Sequence, residues 1–179
     1  MKNHSLLTIP RAEPTTLRDG STVLIRPVGP ADAGLLADGF TRLSPESRRL
    51  RFLTAKDELR PAELRYLTDV DHYDHEAIGA LDATDGQGVA IARYIRDQAD
   101  PGTAEIAVTV VDGWQGRGLG TELVTRLAQR AEQAGIRRFV ALTAGGNVAM
   151  GLLLRGMGGT VLRREYGTLE YELALPQAS

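Results

Sequence analysis

The chain contains two kinds of hydrophobic pattern, and each predicts a different type of element. Short apolar segments bounded by turn residues predict β-strands. These segments cover residues 22–26, 77–81, 89–96, 104–111, 139–142, 161–162 and 169–175. Only short turns, at Asp85-Gly86 and Pro101-Gly102, separate the second, third and fourth segments. Such short connections favour an antiparallel meander, because parallel strands need a longer crossover.

Helical spacing dominates the segment that follows the meander. Apolar residues from Leu119 to Ala134 recur at steps of three or four, and Gly135 is placed to end the helix. Weaker helical patterns cover residues 31–40, 45–52, 61–67 and 148–155. Two of them begin at Pro45 and Pro61, and proline suits the first position of a helix.

The order of these elements predicts an α/β (α+β) fold in one domain. We expect residues 17–175 to form a mixed, mostly antiparallel sheet of about six to seven strands with helices on both faces. Residues 1–16 contain Pro10, Pro14 and little periodicity, so we expect a flexible N-terminal arm there. A chain of 179 residues is long enough for one such core.

Composition narrows the classes of function. The net charge of −2 gives no basis for nucleic-acid binding, which normally shows a basic excess. The absence of cysteine excludes disulfides, thiolate zinc sites, iron–sulfur clusters and a cysteine nucleophile. No segment approaches the roughly 20 apolar residues that span a bilayer. Residues 1–10 also lack the apolar run of a signal peptide. We therefore expect a cytoplasmic location and no membrane partner.

A glycine-rich loop joins the last strand of the meander to the amphipathic helix. Its glycines at Gly116, Gly118 and Gly120 alternate with other residues. Glycine lets the backbone approach an anion closely, and the first N–H groups of a helix have no internal partners. With the helix dipole, these groups form a site for phosphate, and Arg117 adds positive charge. A glycine-rich turn without a ligand is the alternative.

Two common nucleotide-binding motifs do not fit this loop. A P-loop needs a lysine followed by serine or threonine, and the residue directly before Thr121 is Gly120. A dinucleotide-binding fold needs G-x-G-x-x-G and an acid about 20 residues further on. Here Thr121 replaces the third glycine, and residues 139–142 contain no acid.

The loop resembles the pyrophosphate-binding signature of the GNAT N-acetyltransferases, Gln/Arg-x-x-Gly-x-Gly/Ala. Further similarity, from the first strand to the segment at Asn147, extends the resemblance over residues 17–175. The resemblance implies acetyl-CoA as co-substrate, a primary amine as acceptor, and no metal. The cofactor-binding residues that it implies are Val108, Val110, Gln115, Gly116, Arg117, Gly118, Leu119, Gly120, Thr121 and Asn147.

A narrower resemblance concerns the bacterial protein-lysine acetyltransferases. The similar segments are residues 17–20, residues 43–47 with Arg51 and Phe52, and residues 104–107. This resemblance implies that Glu105 is the general base that deprotonates the acceptor lysine. Along the strand, Glu105 alternates with Ala104 and Ile106, so it shares a face with small or polar neighbours. A solvated glutamate on the outer face of the sheet is the alternative.

One position departs from the family pattern. Many members have a tyrosine seven residues after the asparagine, able to protonate the departing thiolate, and this chain has Leu154 there. A thiol with an ordinary pKa of about 8.5 can leave without much help. Tyr166 and Tyr171 are conceivable substitutes. The departure leaves open an acetyl-CoA-binding sensor without turnover, and a small amine also remains open as the acceptor.

Two further features concern partners. Residues 69–76 are rich in acids and histidines, but their spacing matches no zinc or EF-hand pattern. We expect a polar loop beside the acceptor, in which Asp71 and Asp74 attract a cationic substrate. The C-terminal hairpin offers edge strands that could pair in a homodimer.

Overall fold

One eight-stranded sheet forms the centre of the computed structural model, which describes residues 12–176. The strands are β1 (Glu13–Thr16), β2 (Thr22–Pro27), β3 (His75–Asp82), β4 (Gly88–Arg96), β5 (Thr103–Val110), β6 (Arg138–Ala144), β7 (Thr160–Glu165) and β8 (Thr168–Ala174). The helices are α1 (Ala33–Thr41), α2 (Pro45–Phe52), α3 (Pro61–Thr68), α4 (Leu119–Gln133) and α5 (Val148–Gly156). Short 3-10 helices, Pro30–Asp32 and Asp112–Trp114, precede α1 and α4. Within residues 12–176, no helix is both long and apolar enough to cross a membrane.

The strand order is β1-β2-β3-β4-β5-β6-β8-β7, and all neighbouring strands are antiparallel except β5 and β6. α4 makes the crossover that a parallel pair requires. β5 and β6 pair only from Thr103–Arg138 to Glu105–Val140. Beyond these residues β6 continues beside β8 alone. The sheet therefore opens along the second half of β5, and we call this space the β5–β6 opening.

Helices cover both faces of the sheet, as the sequence predicts. On one face, α4 buries Leu123 and Leu127 in a cluster that includes Ala92 and Ile106. On the other face, α1 contacts β4 and α2 contacts β5 and β6. α4 ends where Gly135 takes a φ of 78°, a left-handed conformation that suits glycine after a helix.

The sheet has one strand more than the hydrophobic pattern predicts. β1 pairs with β2, although it belongs to the segment expected as a flexible arm. The pattern misses β1 because the strand is short, polar and interrupted by Pro14. Arg126 of α4 holds it in place by an ion pair with Glu13 and a hydrogen bond of 2.9 Å to Thr15 Oγ1. The expectation of an arm therefore fails for Glu13–Thr16, and residues 1–11 lie outside the described residues.

Candidate active site

The β5–β6 opening exposes one side of the β5 backbone. Just after β5, the Val111 N–H donates to Val89 O at 2.9 Å and so points toward β4. N–H directions alternate along a strand, so the N–H groups of Val108 and Val110 point away from β4, into the opening. The carbonyl oxygen of Val110 points the same way and accepts a hydrogen bond of 3.0 Å from Gln115 Nε2.

The glycine loop brings the start of α4 to this opening. Gly116 and Gly118 have φ angles of 74° and 84°, a left-handed conformation that glycine adopts without strain. Gly120 allows close packing, because a Cβ at that position would lie 2.9 Å from Leu153 Cδ1 and 3.8 Å from Val108 Cγ1. The glycines thus shape the turn, and Gly120 lets α4 approach Leu153 of α5 beside β5.

The first turn of α4 has unpaired donors. Its first backbone hydrogen bond runs from Glu122 N–H to Gly118 O at 3.1 Å, and no side chain caps Gly118. Within the described part of the chain, no backbone N–H from residue 116 to Thr121 donates to another protein group. The side chain of Leu119 is buried in the core, so this residue offers only its backbone. Unpaired donors at the positive end of a helix dipole form an anion site.

Arg117 does not leave its charge free for a ligand. Its Nη2 donates to Gly113 O at 2.7 Å, and its Nη1 lies 3.1 Å from Asp19 Oδ2. The guanidinium also stacks on Trp114, with its Cζ 4.5 Å from the centre of the ring system. Arg117 therefore stabilises the loop through contacts that already neutralise its charge.

Arg18 is a second cation at the loop, and the glycine motif gives no indication of it. It lies in the turn between β1 and β2, where its Nε is 3.2 Å from the position that a Cβ on Gly118 would occupy. The side chain is exposed and takes part in no ion pair within the described residues. Only the similarity of residues 17–20 to the lysine acetyltransferases pointed to this segment.

Polar contacts join the loop to α2. Gln115 Nε2 lies 3.3 Å from Ser47 Oγ, to which it donates a hydrogen bond. Asp112 accepts hydrogen bonds from the Ser44 N–H at 3.0 Å and the Ser47 hydroxyl at 3.1 Å. Burial alone would raise the pKa of Asp112, but these hydrogen bonds outweigh it and lower the pKa. The ionised carboxylate thus fixes the start of α2 relative to the glycine loop.

Two of the sequence-predicted positions lie at the start of α5 and within it, and α5 contacts the loop through Leu153 beside Gly120. Asn147 caps α5, because its Oδ1 accepts the Met150 N–H at 3.1 Å. This capping needs no ligand and leaves the amide nitrogen without a protein acceptor among the described residues. Leu154 is 1% exposed and packs in the core, so α5 offers no proton donor at that position.

The two tyrosines lie in different surroundings. Tyr171 is buried, and its hydroxyl accepts a hydrogen bond of 3.0 Å from Arg155 Nη2. Tyr166 is 96% exposed at the turn of the β7–β8 hairpin. It borders a groove that also contains Glu105. Of the two, only Tyr166 shares a groove with the candidate base.

Glu105 lies where β5 and β6 separate. It is paired with Val140 at the last β5–β6 position, and its side chain is exposed. It borders a cleft of about 460 Å³ between α2, α3 and the sheet, which we call the acceptor cleft. Its polar lining also includes Arg51, Glu63, Tyr66, Arg93, Arg96 and Asp97. The opening therefore connects the anion site at α4 with a carboxylate on the α2–α3 face.

Three guanidinium groups share the acceptor cleft with Glu105, namely Arg51, Arg93 and Arg96, and Arg96 is paired with Asp74. Burial lowers the pKa of Arg51, and the charge of Glu105 offsets this in part. Burial, followed by repulsion from Arg51, lowers the pKa of Arg93 to about 10. The narrower resemblance includes Arg51 but gives it no role, and Arg93 stands in an apolar strand pattern that gives no indication of a site.

The acidic segment at residues 69–76 stabilises its own turn. Asp71 Oδ1 accepts the backbone N–H groups of Tyr73, Asp74 and His75 at 2.9, 2.9 and 2.8 Å. Asp74 Oδ1 accepts a hydrogen bond of 2.7 Å from Arg96 Nε. Neither carboxylate lines the acceptor cleft, so the expectation that they attract a cationic acceptor is not supported. The residues that the structure describes contain no group of three or more metal-ligating side chains.

Known proteins share both the sequence and the fold. The sequence model of the acetyltransferase (GNAT) family matches residues 39–158. Acetyltransferase Pat of Mycolicibacterium smegmatis is 32% identical over 163 residues, which are 91% of this chain and 49% of that protein. Acetyltransferase PA5475 of Pseudomonas aeruginosa is 37% identical over 145 residues, 80% of this chain and 77% of that protein. The crystal structure of the GNAT domain of S. lividans PAT has a TM-score of 0.85 at 31% identity and covers 92% of this chain and 97% of that domain.

These similarities extend over the glycine loop, the β5–β6 opening and the acceptor cleft. The chain spans about half the length of the M. smegmatis relative. Its sheet, with one parallel pair opened beside an uncapped helix, is the fold of the S. lividans domain. The chain belongs to the GNAT acetyltransferase family.

Proposed function

We propose that this chain is an acetyl-CoA-dependent N-acetyltransferase that acetylates a protein lysine, with Glu105 as the general base. Membership of the family supports acyl transfer from CoA to an amine. The observation that carries the proposal is the β5–β6 opening, which connects the unpaired N–H groups at the start of α4 with the carboxylate of Glu105.

The start of α4 and the exposed edge of β5, which we call the donor side of the opening, suit a pyrophosphate joined to an arm that contains amides. The N–H groups from residue 116 to Thr121 would bind the pyrophosphate of acetyl-CoA, and Arg18 would add the unpaired charge that Arg117 lacks. The exposed edge of β5, with the N–H groups of Val108 and Val110, would pair with the amides of the pantetheine arm. The free amide nitrogen of Asn147 offers one more donor to that arm.

The acceptor side suits deprotonation of an amine. An unperturbed lysine ammonium has a pKa of about 10.4 and must lose a proton before it can attack a thioester. Glu105 takes this proton directly or through water, and the amine then attacks the carbonyl carbon of the acetyl group. The Val108 or Val110 N–H would stabilise the charge that develops on the thioester oxygen.

Release of the thiol does not require a tyrosine at position 154. A thiol pKa of about 8.5 makes the thiolate an acceptable leaving group near neutral pH. Because Leu154 packs in the core, any assisting proton would come from elsewhere, and Tyr166 borders the groove beside Glu105. We therefore expect turnover to depend less on Tyr166 than on Glu105.

The surface around Glu105 supports a polypeptide acceptor. The acceptor cleft lies on one side of Glu105, and a second groove runs from it past Leu142 to Tyr166. Small-molecule sites usually enclose most of their ligand, whereas this surface is open on two sides of the candidate base. A lysine within an extended segment could therefore reach Glu105 while its neighbours lie in both grooves.

The test is transfer of label from acetyl-CoA. The purified chain is incubated with isotopically labelled acetyl-CoA and a protein extract, and the products are separated by size. Label on proteins that disappears with Glu105→Gln, but persists with the control Glu132→Gln on α4, supports the proposal. If the label is confined to small molecules, the acceptor is a small amine and not a protein lysine. Acetyl-CoA binding without any transfer contradicts the proposed enzymatic activity and indicates a module that only binds acetyl-CoA.

A further inference from the structure

One buried charge in the described structure lacks an ionic partner. The buried charged side chains are Asp32, Glu76 and Arg93. Asp32 pairs with Arg26 at 2.5 Å, and Glu76 pairs with Arg130 at 3.0 Å. Arg93 is only 4% exposed and has no ion pair. Buried charges are normally paired, so Arg93 is an exception among the described residues.

The two partners of Arg93 are uncharged. Its Nη1 donates to Leu67 O at 2.9 Å and lies 3.0 Å from His75 Nε2. Burial, followed by the charge of Arg93, lowers the pKa of His75, so the imidazole is neutral at neutral pH. Beyond Arg93 lies a largely apolar cavity of about 90 Å³, and Asp32, the carboxylate in its lining, is already paired with Arg26. The guanidinium is held in place without being neutralised.

Arg51 adds a second positive charge to the same cleft. Its guanidinium stacks on Phe52, with its Cζ 4.9 Å from the ring centre, and forms no ion pair within the described residues. Burial is the main cause that lowers the pKa of Arg93, and repulsion from Arg51 adds to it. Glu105 attracts Arg51 without forming a hydrogen bond to it.

The other carboxylates of the cleft are already engaged. Glu63 pairs with Lys56 at 2.5 Å. Asp97 accepts the backbone N–H groups of Ala99 and Asp100 at 2.8 and 3.3 Å. Within the described residues, neither carboxylate forms an ion pair or a hydrogen bond with Arg51 or Arg93. Among the residues that line the cleft, Glu105 is a carboxylate without a hydrogen bond, and Arg51 and Arg93 are guanidinium groups without a hydrogen-bonded carboxylate, whereas Arg96 is paired with Asp74.

We infer that the acceptor cleft binds a carboxylate of the acceptor, close to the amine that faces Glu105, and that Arg51 and Arg93 recognise it. This inference rests on the proposed function, because it assumes that the cleft holds the acceptor. Guanidinium groups bind carboxylates through short, charge-assisted hydrogen bonds and often through two at once. The carboxylate can belong to an acidic residue beside the lysine in a polypeptide or to a free amine that carries its own carboxylate.

Matched acceptors test the inference and distinguish the two sources. One pair consists of lysine peptides with Glu or Gln beside the lysine, and the other of free lysine and lysine amide. The wild-type chain should have a kcat/KM about 10- to 100-fold higher for the carboxylate member of one pair, as expected for a charged hydrogen-bonded pair. A preference among the peptides identifies an acidic neighbour, and a preference for free lysine identifies a small acceptor.

Variants show whether the arginines cause the preference. Arg51→Gln should reduce the ratio toward one, whereas Arg65→Gln, an exposed position on α3 outside the cleft, makes the same charge change and should preserve it. Because Arg93 is buried, Arg93→Lys is the second variant, and its melting temperature and acetyl-CoA affinity are measured alongside. Lysine keeps the positive charge but lacks the planar, forked guanidinium group. The ratio of kcat/KM values within the pair should therefore fall, but not to one.

Three results would overturn the inference. Equal kcat/KM values within both pairs would show that no carboxylate is recognised, although acetyl transfer itself would stand. A preference that persists in both Arg51→Gln and Arg93→Lys would assign recognition to other residues. Failure to acetylate any acceptor despite acetyl-CoA binding would remove the proposed function, and the inference with it.

Discussion

At the start of α4 the site consists of backbone N–H groups, whereas across the β5–β6 opening it consists of charged side chains. The donor side depends on the conformations of Gly116 and Gly118 and on an uncapped helix turn. The acceptor side depends on Glu105, Arg51 and Arg93, which come from β5, α2 and β4. The same opening thus joins a site defined by backbone shape to a site defined by side-chain charge.

This difference determines which substitutions each side of the site tolerates. In the proposed site, backbone donors would bind the pyrophosphate that all CoA thioesters share, so the donor side would tolerate substitutions that preserve the turn. Side chains in the acceptor cleft can be replaced without altering the loop, so acceptor choice can vary between relatives that share the donor side. Substitutions on the two sides should therefore affect different kinetic parameters.

Removal of the base should have the largest effect. Glu105→Gln is expected to lower turnover by about 10²- to 10⁴-fold, the contribution usual for a general base. Acetyl-CoA affinity should not change, since Glu105 lies across the opening from the N–H groups of the loop. Steady-state kinetics and calorimetric titration measure the two quantities, with Glu132→Gln as the matched control. Turnover equal to that of the wild type would remove Glu105 from the mechanism.

A β-branched residue in the loop should have the next largest effect, on the other parameter. Gly118 has a φ of 84°, where valine is strained, and a Cβ there would meet Arg18. Gly118→Val should weaken acetyl-CoA binding by about 10- to 100-fold, corresponding to the strain of such a conformation. Gly113→Ala is the control, because its methyl group would enter open space. Equal dissociation constants for both variants would contradict a binding site built from the backbone.

Loss of the unpaired cation at the loop should have a smaller effect. Arg18→Gln is expected to raise the acetyl-CoA dissociation constant by about two- to fivefold, because an exposed charge contributes little. The difference should shrink as salt is added, since salt screens exposed charges. Arg164→Gln on β7 provides the control for net charge, and calorimetric titration at low and high salt checks both. A difference that does not respond to salt would argue against contact with a phosphate.

The smallest predicted effect concerns pH and stability. Burial and Arg93 keep the pKa of His75 below its ordinary value of 6.5 in the folded chain. The unfolded chain therefore binds this proton more readily, and stability should fall as the pH falls through the ordinary histidine pKa. Denaturant midpoints of the wild type and His75→Gln across this range measure the effect. If both chains show the same pH profile, the Arg93–His75 contact does not control this loss.

The sequence predicts the donor side better than the acceptor side. The residues of the loop are adjacent in the chain and their spacing reflects a local turn, so Gly116, Gly118 and Gly120 identify it directly. Arg93 and Arg51 meet only in the folded chain, and within their own segments they resemble ordinary strand and helix residues. Arg18 likewise reaches Gly118 only because the β1–β2 turn packs beside the loop.

The fold shows the same dependence on local information. The spacing of hydrophobic positions and the turn residues predict the seven strands from β2 to β8 and all five helices, because each of these elements has its own hydrophobic pattern. β1 has no such pattern and is fixed by its neighbour β2 and by Arg126. The acidic segment also misleads at the sequence level. The backbone N–H groups that occupy Asp71 and the guanidinium that pairs with Asp74 become visible only in the folded turn.

The most direct test of the two-sided site is a single-turnover experiment over a range of acetyl-CoA concentrations with a lysine peptide. Gly118→Val should raise the half-saturating acetyl-CoA concentration and keep the limiting rate. Glu105→Gln should lower the limiting rate and keep the half-saturating concentration. If both variants change the same parameter, or if Gly118→Val lowers the limiting rate as strongly as Glu105→Gln, the separation into a backbone-built donor side and a side-chain-built acceptor side is wrong.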